Sequence, residues 1–292
     1  SGIITAEAGV LLKDIIELCV PNGWFLKTTP GTKYVTLGGA ISSDVHGKNH
    51  HLEGCFSNCV SRLTIINSNQ DIIECSQNLN QDLFKATCGG MGLTGIILEA
   101  EISLKKVNSK FLNQTTIKTK NLKDTFKNFE TYSNKPNSVA WIDCLAKNDQ
   151  RGKGVFMFGE FKNDGDLKFK EKKKINIPFS IPSFFLNRFF LKFFNFFYYK
   201  KAPNSKTIKK VDLDTFFYPL DNIKNWNKFY GDEGFVQYQF IIPEDVSLKG
   251  IDEILNLISD SGRAPFLGVL KFFGDSNENY LSFPLKGYSL AV

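Results

Sequence analysis

Pro30-Gly-Thr-Lys-Tyr-Val-Thr-Leu-Gly-Gly-Ala-Ile-Ser-Ser-Asp-Val-His-Gly-Lys-Asn-His-His51 is the stretch on which the reading of this chain turns. A Pro-Gly turn opens it, a short apolar strand is expected through Tyr34, Val35 and Leu37, and the strand breaks at Gly38-Gly39. A polar loop follows that holds all three histidines of the chain, His46, His50 and His51. Paired glycines after a strand let the backbone take positive φ and bring bare N–H groups close to a ligand. With Thr32, Thr36, Ser42 and Lys48 alongside, the expected ligand is an anion. Two other readings of the same residues stay open. Gly38-Gly39 alone also suits a surface turn between two strands. His46 and His50, four apart, would share a helical face as metal ligands do, although Gly47 between them and the lack of helical periodicity speak against a metal.

A second cluster, Gly89-Gly-Met-Gly92 with Thr94 and Gly95, precedes a run of buried alternation to Leu104. By itself it is a turn. Paired with the first cluster it becomes one half of a two-loop clamp around a diphosphate. No GxGxxG follows a strand and opens a helix, and no Walker A sequence is present, so neither a Rossmann site nor a P-loop is indicated.

The chain of 292 residues is long enough for a substantial core, and its 42% hydrophobic content excludes general disorder. Cys19, Cys55, Cys59, Cys75, Cys88 and Cys144 are scattered without CxxC spacing, which suits buried free thiols in a reducing compartment. There is no signal peptide, and the expected location is cytoplasmic or peripheral on the inner membrane. The chain starts in a strand-like run, Gly2 to Gly9, and stops after an apolar one, Tyr288 to Val292, and is read as a fragment cut at both ends.

Periodicity predicts a helix over residues 7–23, ended by Pro21-Asn-Gly23, and a hairpin of Leu63–Ile66 with Ile72-Ile73. A short helix is expected around Leu83 and Phe84, and a strand from Thr94 to Leu104. Beyond Lys106 come a strand from Phe111, a helix over Leu122–Tyr132, strands at Val139–Asp143 and Gly154–Gly159, and a helix over Ile251–Ser259. The fold class expected is α+β in two lobes, residues 1–106 and 107–292, the second an antiparallel sheet with helices on one face. Phe235 to Phe240 alternates, placing Gln237 and Gln239 on one face, suited either to sugar hydroxyls or to plain solvent. Lys271, in the apolar run Val269–Phe273, either snorkels to water or serves a pocket.

The block of residues 30–51 resembles the flavin-pyrophosphate loop of the vanillyl-alcohol-oxidase type flavoenzymes, with their PCMH-type FAD-binding domain. Within that family it is most similar to the branch that oxidises decaprenylphosphoryl-β-D-ribose at the 2′ position. Asp82-Leu-Phe-Lys-Ala-Thr-Cys-Gly-Gly-Met-Gly-Leu-Thr-Gly-Ile-Ile97 resembles the family's second FAD loop. Phe217-Tyr-Pro-Leu-Asp221, Gly234-Phe-Val-Gln-Tyr-Gln-Phe240 and Leu270-Lys-Phe-Phe-Gly274 match further, in the family's order. The likeness covers nearly the whole chain outside residues 145–210, and HGKNHH is its most specific part.

The resemblance implies non-covalent FAD. Its first loop would contribute Pro30, Gly31, Thr32, Thr36, Leu37, Gly38 and Gly39, continuing through Ser43, Asp44, Val45, His46, Gly47, Lys48 and Asn49. Its second would contribute Gly89, Gly90, Met91, Gly92, Thr94, Gly95 and Ile97. It further implies a substrate site at Trp141, Tyr218, Gln237, Gln239, Lys271, Phe273, Ser289 and Ala291. Trp141 read from the sequence alone is a core residue. The reaction implied is oxidation of a secondary hydroxyl on a polyprenyl-phosphate-linked pentose to a keto sugar, the first half of an epimerisation that a separate NAD(P)H-dependent reductase completes. His46, Lys271 and Tyr218 are the candidates for the base. Two departures stand out: the family's N-terminal glycine-rich loop and C-terminal active-site lysine lie outside these residues, and Ala291 stands where the actinobacterial branch carries a pocket cysteine. Two rival functions remain, an oxidase of a soluble sugar or aldonolactone, and a non-catalytic lipid-associated protein on a flavoenzyme scaffold.

Charge is unevenly spread. Residues 162–210 hold 13 Lys+Arg against 3 Asp+Glu, a net of +10, whereas the whole chain is +6 and the remainder therefore −4. Within this insert, residues 178–201 carry eleven aromatics. A helix from Ser183 would form a polar strip of Asn187, Arg188, Lys192 and Asn195. A core helix and a nucleic-acid surface are alternatives, but lysines crowding both flanks favour an interfacial helix on an anionic membrane or a hydrophobic lid, and clustered Phe without spaced Arg favours lipid over nucleic acid.

Overall fold

The computed structural model describes residues 2–169, 174–180, 187–231, 234–261, 265 and 267–292. In the first third of the chain, β1 (Ile3–Glu7), β2 (Trp24–Leu26), β3 (Val60–Ile66), β4 (Ile72–Cys75) and β5 (Ile96–Lys106) form an antiparallel sheet. Its order is β1-β5-β3-β4, with β2 also on β5. The expected hairpin is β3–β4, with Leu63 opposite Cys75 and Ile66 opposite Ile72. Four helices accompany this sheet: α1 (Leu12–Cys19), α2 (Leu37–Ser42), α3 (His50–Glu53) and α4 (Gln81–Thr87). Helix α1 buries Leu12, Ile15, Ile16 and Cys19, the spacing of a single helical stripe. It starts five residues later than the sequence suggests, because Glu7 still pairs with Glu99 in β1.

Two expectations for the opening stretch fail. Tyr34 to Leu37 is not a strand, and Leu37 begins α2. Thr36 is the reason: extended itself, it caps the helix by accepting from the Gly39 N–H at 3.0 Å. Nor do Gly38 and Gly39 take positive φ. Gly38 is needed for close approach instead, since a Cβ there would lie 2.9 Å from the Ala8 Cβ.

The remaining strands are β6 (Phe111–Thr119), β7 (Ser138–Ile142), β8 (Gly154–Phe161), β9 (Ile175–Asn176), β10 (Thr207–Asp212), β11 (Ile223–Lys224), β12 (Gln239–Pro243), β13 (Val269–Phe273) and β14 (Gly287–Ala291). The helices among them are α5 (Leu122–Thr131), α6 (Arg188–Lys201), α7 (Leu213–Phe217) and α8 (Ser247–Asp260). Seven of these strands make one sheet in the order β10-β6-β8-β7-β13-β14-β12, and β9 pairs with β11. The seam between β7 and β13 rests on two registered pairs, Trp141 with Val269 and Leu270 with Ala140, plus the Ile142 N–H donated to Gly268 at 2.8 Å.

Successive residues of a strand point to opposite faces, and cross-strand partners share one. Ala140, Ile142, Phe156, Phe158, Leu270, Tyr288 and Leu290 form the buried face, packed with Leu122, Phe126 and Phe129 of α5 and Ile251 and Leu255 of α8. The opposite face is left to the alternate residues of the same strands. A separate core cluster lies around the first sheet and includes Leu112, Leu213, Phe216, Phe217 and Tyr218 from later in the chain. The strand expected from Phe235 begins only at Gln239, and pairing with β14 ends at the two hydrogen bonds exchanged by Tyr238 and Val292. Ser183, the expected start of the insert helix, lies outside the described residues.

Lys33 fastens the loop before α2 to the later chain. It is 1% exposed, its Nζ pairs with Asp214 at 2.8 Å, and its backbone N–H donates to Asp221 at 2.8 Å. Removing one partner of a buried pair typically costs about 3–5 kcal/mol. Lys33→Met should therefore lower the urea midpoint markedly by tryptophan fluorescence, and Lys33→Met/Asp214→Leu should recover most of the loss. An unchanged midpoint in the single variant would show the pair to be energetically idle.

Candidate active site

The site is built where the histidine loop meets the face of the large sheet opposite α5 and α8. Trp141, Val269, Ala291 and Gln239 form one cross-strand row there, and Lys271 pairs with Ser289 in the next. The structure thus gathers Trp141, Gln239, Lys271, Phe273, Ser289 and Ala291, from four strands, on one surface. Gln239 connects it to the loop: its Nε2 donates to Ser289 Oγ at 2.8 Å and to His46 Nε2 at 3.0 Å. The His46 ring also packs 4.7 Å from Phe273 and 5.5 Å from Phe283.

Charge in this space is lopsided. Burial draws the Lys271 ammonium down to about 8, and burial with the neighbouring Lys271 charge draws Lys48 down to about 7. Among the described residues neither lysine has a carboxylate partner. Lys48 donates instead to the carbonyls of Phe216 and Phe217. Burial, Lys271 and His50 together hold His46 well below its usual range. With its Nε2 accepting from Gln239, His46 is a neutral acceptor, poorly placed to take another proton. The Lys271 Nζ makes no hydrogen bond among the described residues.

The third candidate base is misplaced. Tyr218 is 0% exposed, its hydroxyl is 2.6 Å from Thr29 Oγ1, and burial raises its pKa. It belongs to the core around the first sheet and reaches neither Lys271 nor Gln239 by any hydrogen bond. Gln237 is exposed in the segment before β12 and is not brought to the others. His50 and His51 also turn away from that face's polar groups. His50 stacks 4.4 Å from Phe273, accepts from the Gly274 N–H and faces Cys55 Sγ at 3.4 Å, whereas His51 Nε2 bonds the Lys135 carbonyl.

The two glycine loops lock together at their backbones. Gly89 N–H donates to the Ile41 carbonyl at 3.0 Å and Met91 N–H to that of Ser42 at 2.9 Å. A Cβ at Gly90 would lie 1.9 Å from the Ala86 carbonyl, at Gly95 2.4 Å from that of Ile66, and at Gly47 2.9 Å from that of Thr29. With Gly38, these glycines are dictated by the chain's own packing. Gly31 and Gly92 have nothing within 4 Å of a Cβ, and Gly39 has only Thr36 Oγ1 at 3.0 Å. These three leave bare backbone beside open space, a surface a flavin diphosphate can approach, so the residues fit the group. Around them Pro30 and Thr32 are half-buried, Ser43 is exposed, Val45 bonds back to Ala40, and Asn49 donates to the Lys27 carbonyl. Thr94 bonds Thr87, and Ile97 is buried opposite Ile65 in the sheet.

Asp44 has a role that the sequence did not disclose. Buried and at positive φ, it accepts from the Ser57 N–H and from Asn277, Asn279 and Ser282, at 2.6–2.9 Å. It thereby pins the β13–β14 connection, which delivers Phe283 against His46. No local signal marks this, because Asn277, Asn279 and Ser282 lie more than two hundred residues away. Among the described residues there is no cluster of three His, Cys, Asp or Glu able to hold a metal.

Residues 1–76 match the FAD binding domain family. This match and the flavoenzyme relatives support FAD as the cofactor. It is 32% identical to the decaprenylphosphoryl-beta-D-ribose oxidase of Mycolicibacterium smegmatis, over 99% of this chain and 65% of that protein. It is 26% identical to an uncharacterized protein of Streptomyces coelicolor over 97% of this chain and 80% of the relative. L-gulonolactone oxidase of Bos taurus is 32% identical over 45% of this chain and 29% of its own length. The chain thus spans just under two thirds of the oxidase it resembles along its whole length.

The buried histidines make stability depend on pH. Burial lowers His50 to about 4 and holds His46 well below 6.5, while both protonate near 6.5 when unfolded. Between about 6.5 and 4 the unfolded chain binds more protons, so stability is lost as pH falls through that window, by up to about 1.4 kcal/mol per pH unit for each group. Melting temperatures from pH 7.5 to 5 should decline, and His50→Gln should decline less steeply. A level profile would mean that neither ring is kept from protonation by the fold.

Proposed function

We propose that this protein is part of an FAD-dependent oxidoreductase that oxidises a secondary hydroxyl of a polyprenyl-phosphate-linked pentose, resembling decaprenylphosphoryl ribose, to a keto sugar. The observation that carries the reading is the Gln239 amide joining His46 of the flavin-loop motif to the sheet face bearing Lys271. It makes one site of two motifs 193 residues apart. Residues 1–106 would hold the flavin, with Gly31, Gly39 and Gly92 beside the diphosphate, and residues 107–292 would hold the sugar. Bound FAD supplies the hydride acceptor for such a reaction.

The chain's own residues account for the rest. Gln239, held in place by Ser289 and His46, offers its amide oxygen to a sugar hydroxyl. Lys271, lowered to about 8, keeps part of its population neutral near pH 7 and can receive the hydroxyl proton at Nζ. Lys48 and Lys271, without carboxylates of their own, favour an anionic group in the same space. A separate NAD(P)H-dependent reductase would use the keto sugar and complete the epimerisation. A soluble aldonolactone is the second reading, favoured by the L-gulonolactone oxidase similarity, which reaches only 45% of the chain.

Two substitutions test this. Gly39→Val puts a side chain into the open space and meets only Thr36 Oγ1, so the full-length protein should fold yet lose its visible flavin absorbance. Full flavin occupancy would remove Gly39 from the diphosphate site. Lys271→Met keeps the apolar stem but removes charge and donors. In anaerobic stopped flow with a short-chain polyprenyl-phosphoryl ribose, flavin reduction should slow by about 10²-fold or more with the melting temperature held, in line with loss of general acid–base catalysis. Unchanged reduction with a lowered melting temperature would make Lys271 a structural residue.

A further inference from the structure

We propose that the outward face of α6 docks this protein on an anionic lipid bilayer, an inference that does not depend on the flavin chemistry. Helix α6 is inverted relative to an ordinary surface helix. Its inward side is largely polar: Asn195 is buried and donates to Asp143 at 2.7 Å, Arg188 donates to the Ser259 carbonyl at 2.7 Å, and the Tyr199 hydroxyl donates to the Thr119 carbonyl at 3.0 Å. Leu191 is its one buried apolar side chain. The expected polar strip therefore faces the protein at Arg188 and Asn195, and only Lys192 of its helical residues is exposed. The outward side carries Phe189, Phe190, Phe193, Phe194, Phe196 and Phe197, exposed by 41–83%.

Six exposed phenylalanines on one helix mark a surface that something covers. Charge decides what. Lys192, Lys200, Lys201 and Lys206 are exposed around this face, and residues 162–210 are net +10 in a chain otherwise −4. A second copy of the chain would bring like charge onto like charge, whereas anionic headgroups complement it and the acyl boundary takes the rings. At 14 residues α6 is about 21 Å long, short of the roughly 30 Å of hydrocarbon, and no helix of the described residues is long and apolar enough to cross a membrane. It would lie in the interface plane. Tyr198 packs 4.7 Å from Trp141, in the same cross-strand row as Gln239, so docking would bring the site face to the bilayer surface.

The test is co-sedimentation of the full-length, flavin-loaded protein with phosphatidylcholine vesicles, with and without phosphatidylglycerol. The wild type should pellet with the anionic vesicles and be released by high salt. Phe189→Ser/Phe193→Ser/Phe197→Ser and Lys192→Gln/Lys200→Gln/Lys201→Gln should each lower the bound fraction about tenfold or more with flavin absorbance intact. The lysine variant leaves the aromatic face untouched, so it is informative even if the serine variant folds poorly. Undiminished binding by both variants, or equal binding to neutral vesicles, overturns the proposal. So does a wild-type dimer, seen by ultracentrifugation without vesicles, that the serine variant renders monomeric.

Discussion

Strand alternation in the large sheet is the constraint from which the site follows. Ala140, Leu270 and Leu290 must point at α5 and α8 to make a core. Their neighbours Trp141, Lys271, Ser289 and Ala291 are thereby committed to the other face, with no freedom to choose. A register slip of one residue in β13 would bury Lys271 among phenylalanines and present Leu270 to the histidine loop. The chemistry of the second face is thus held in place by the hydrophobic energy of the first.

That face is unusual in holding cations without anions. A buried ammonium is ordinarily paired or neutralised. Lys48 and Lys271 take the second course in part, each pulled toward neutrality, and His46 is neutral outright. An anion entering the space would pull both lysines back toward full charge and draw protons from solvent. The Asp44 carboxylate, close by, is committed to four hydrogen-bond donors and serves as an anchor for the β13–β14 connection.

Much of this was legible in the sequence, and what escaped it has physical causes. Strand and helix periods disclosed the β3–β4 hairpin, α5, α8, β7 and β8, since each pattern reports a neighbour's burial directly. The flavin-loop resemblance did not disclose the conformation of its stretch: a Thr cap outweighed the β-propensity of Tyr34 and Val35, and Gly38 answered to Ala8 rather than to φ. Tyr218 carried the same motif resemblance as Lys271, yet only three-dimensional packing shows one in the core of the first sheet and the other on the histidine-loop face of the second. The polar strip of α6 was correctly spaced, but a sequence cannot say which side of an amphipathic helix is inside. Long-range contacts such as Asp44 with Asn277 leave no local trace.

The seam between β7 and β13 has a consequence for how the protein is made. It joins residues 138–142 to residues 269–273 through two registered pairs, and the Trp141–Val269 row is part of the site face. Pairing so distant in sequence closes slowly, because a long loop must be ordered before any contact rewards it. On the ribosome β6, β7 and β8 can associate as soon as residue 161 emerges, yet β7 keeps an unpaired edge until more than a hundred further residues, α6 among them, have been synthesised. During that interval the exposed edge and the phenylalanines of α6 coexist on a nascent chain. Until the site face is completed, both are open to mispairing and aggregation.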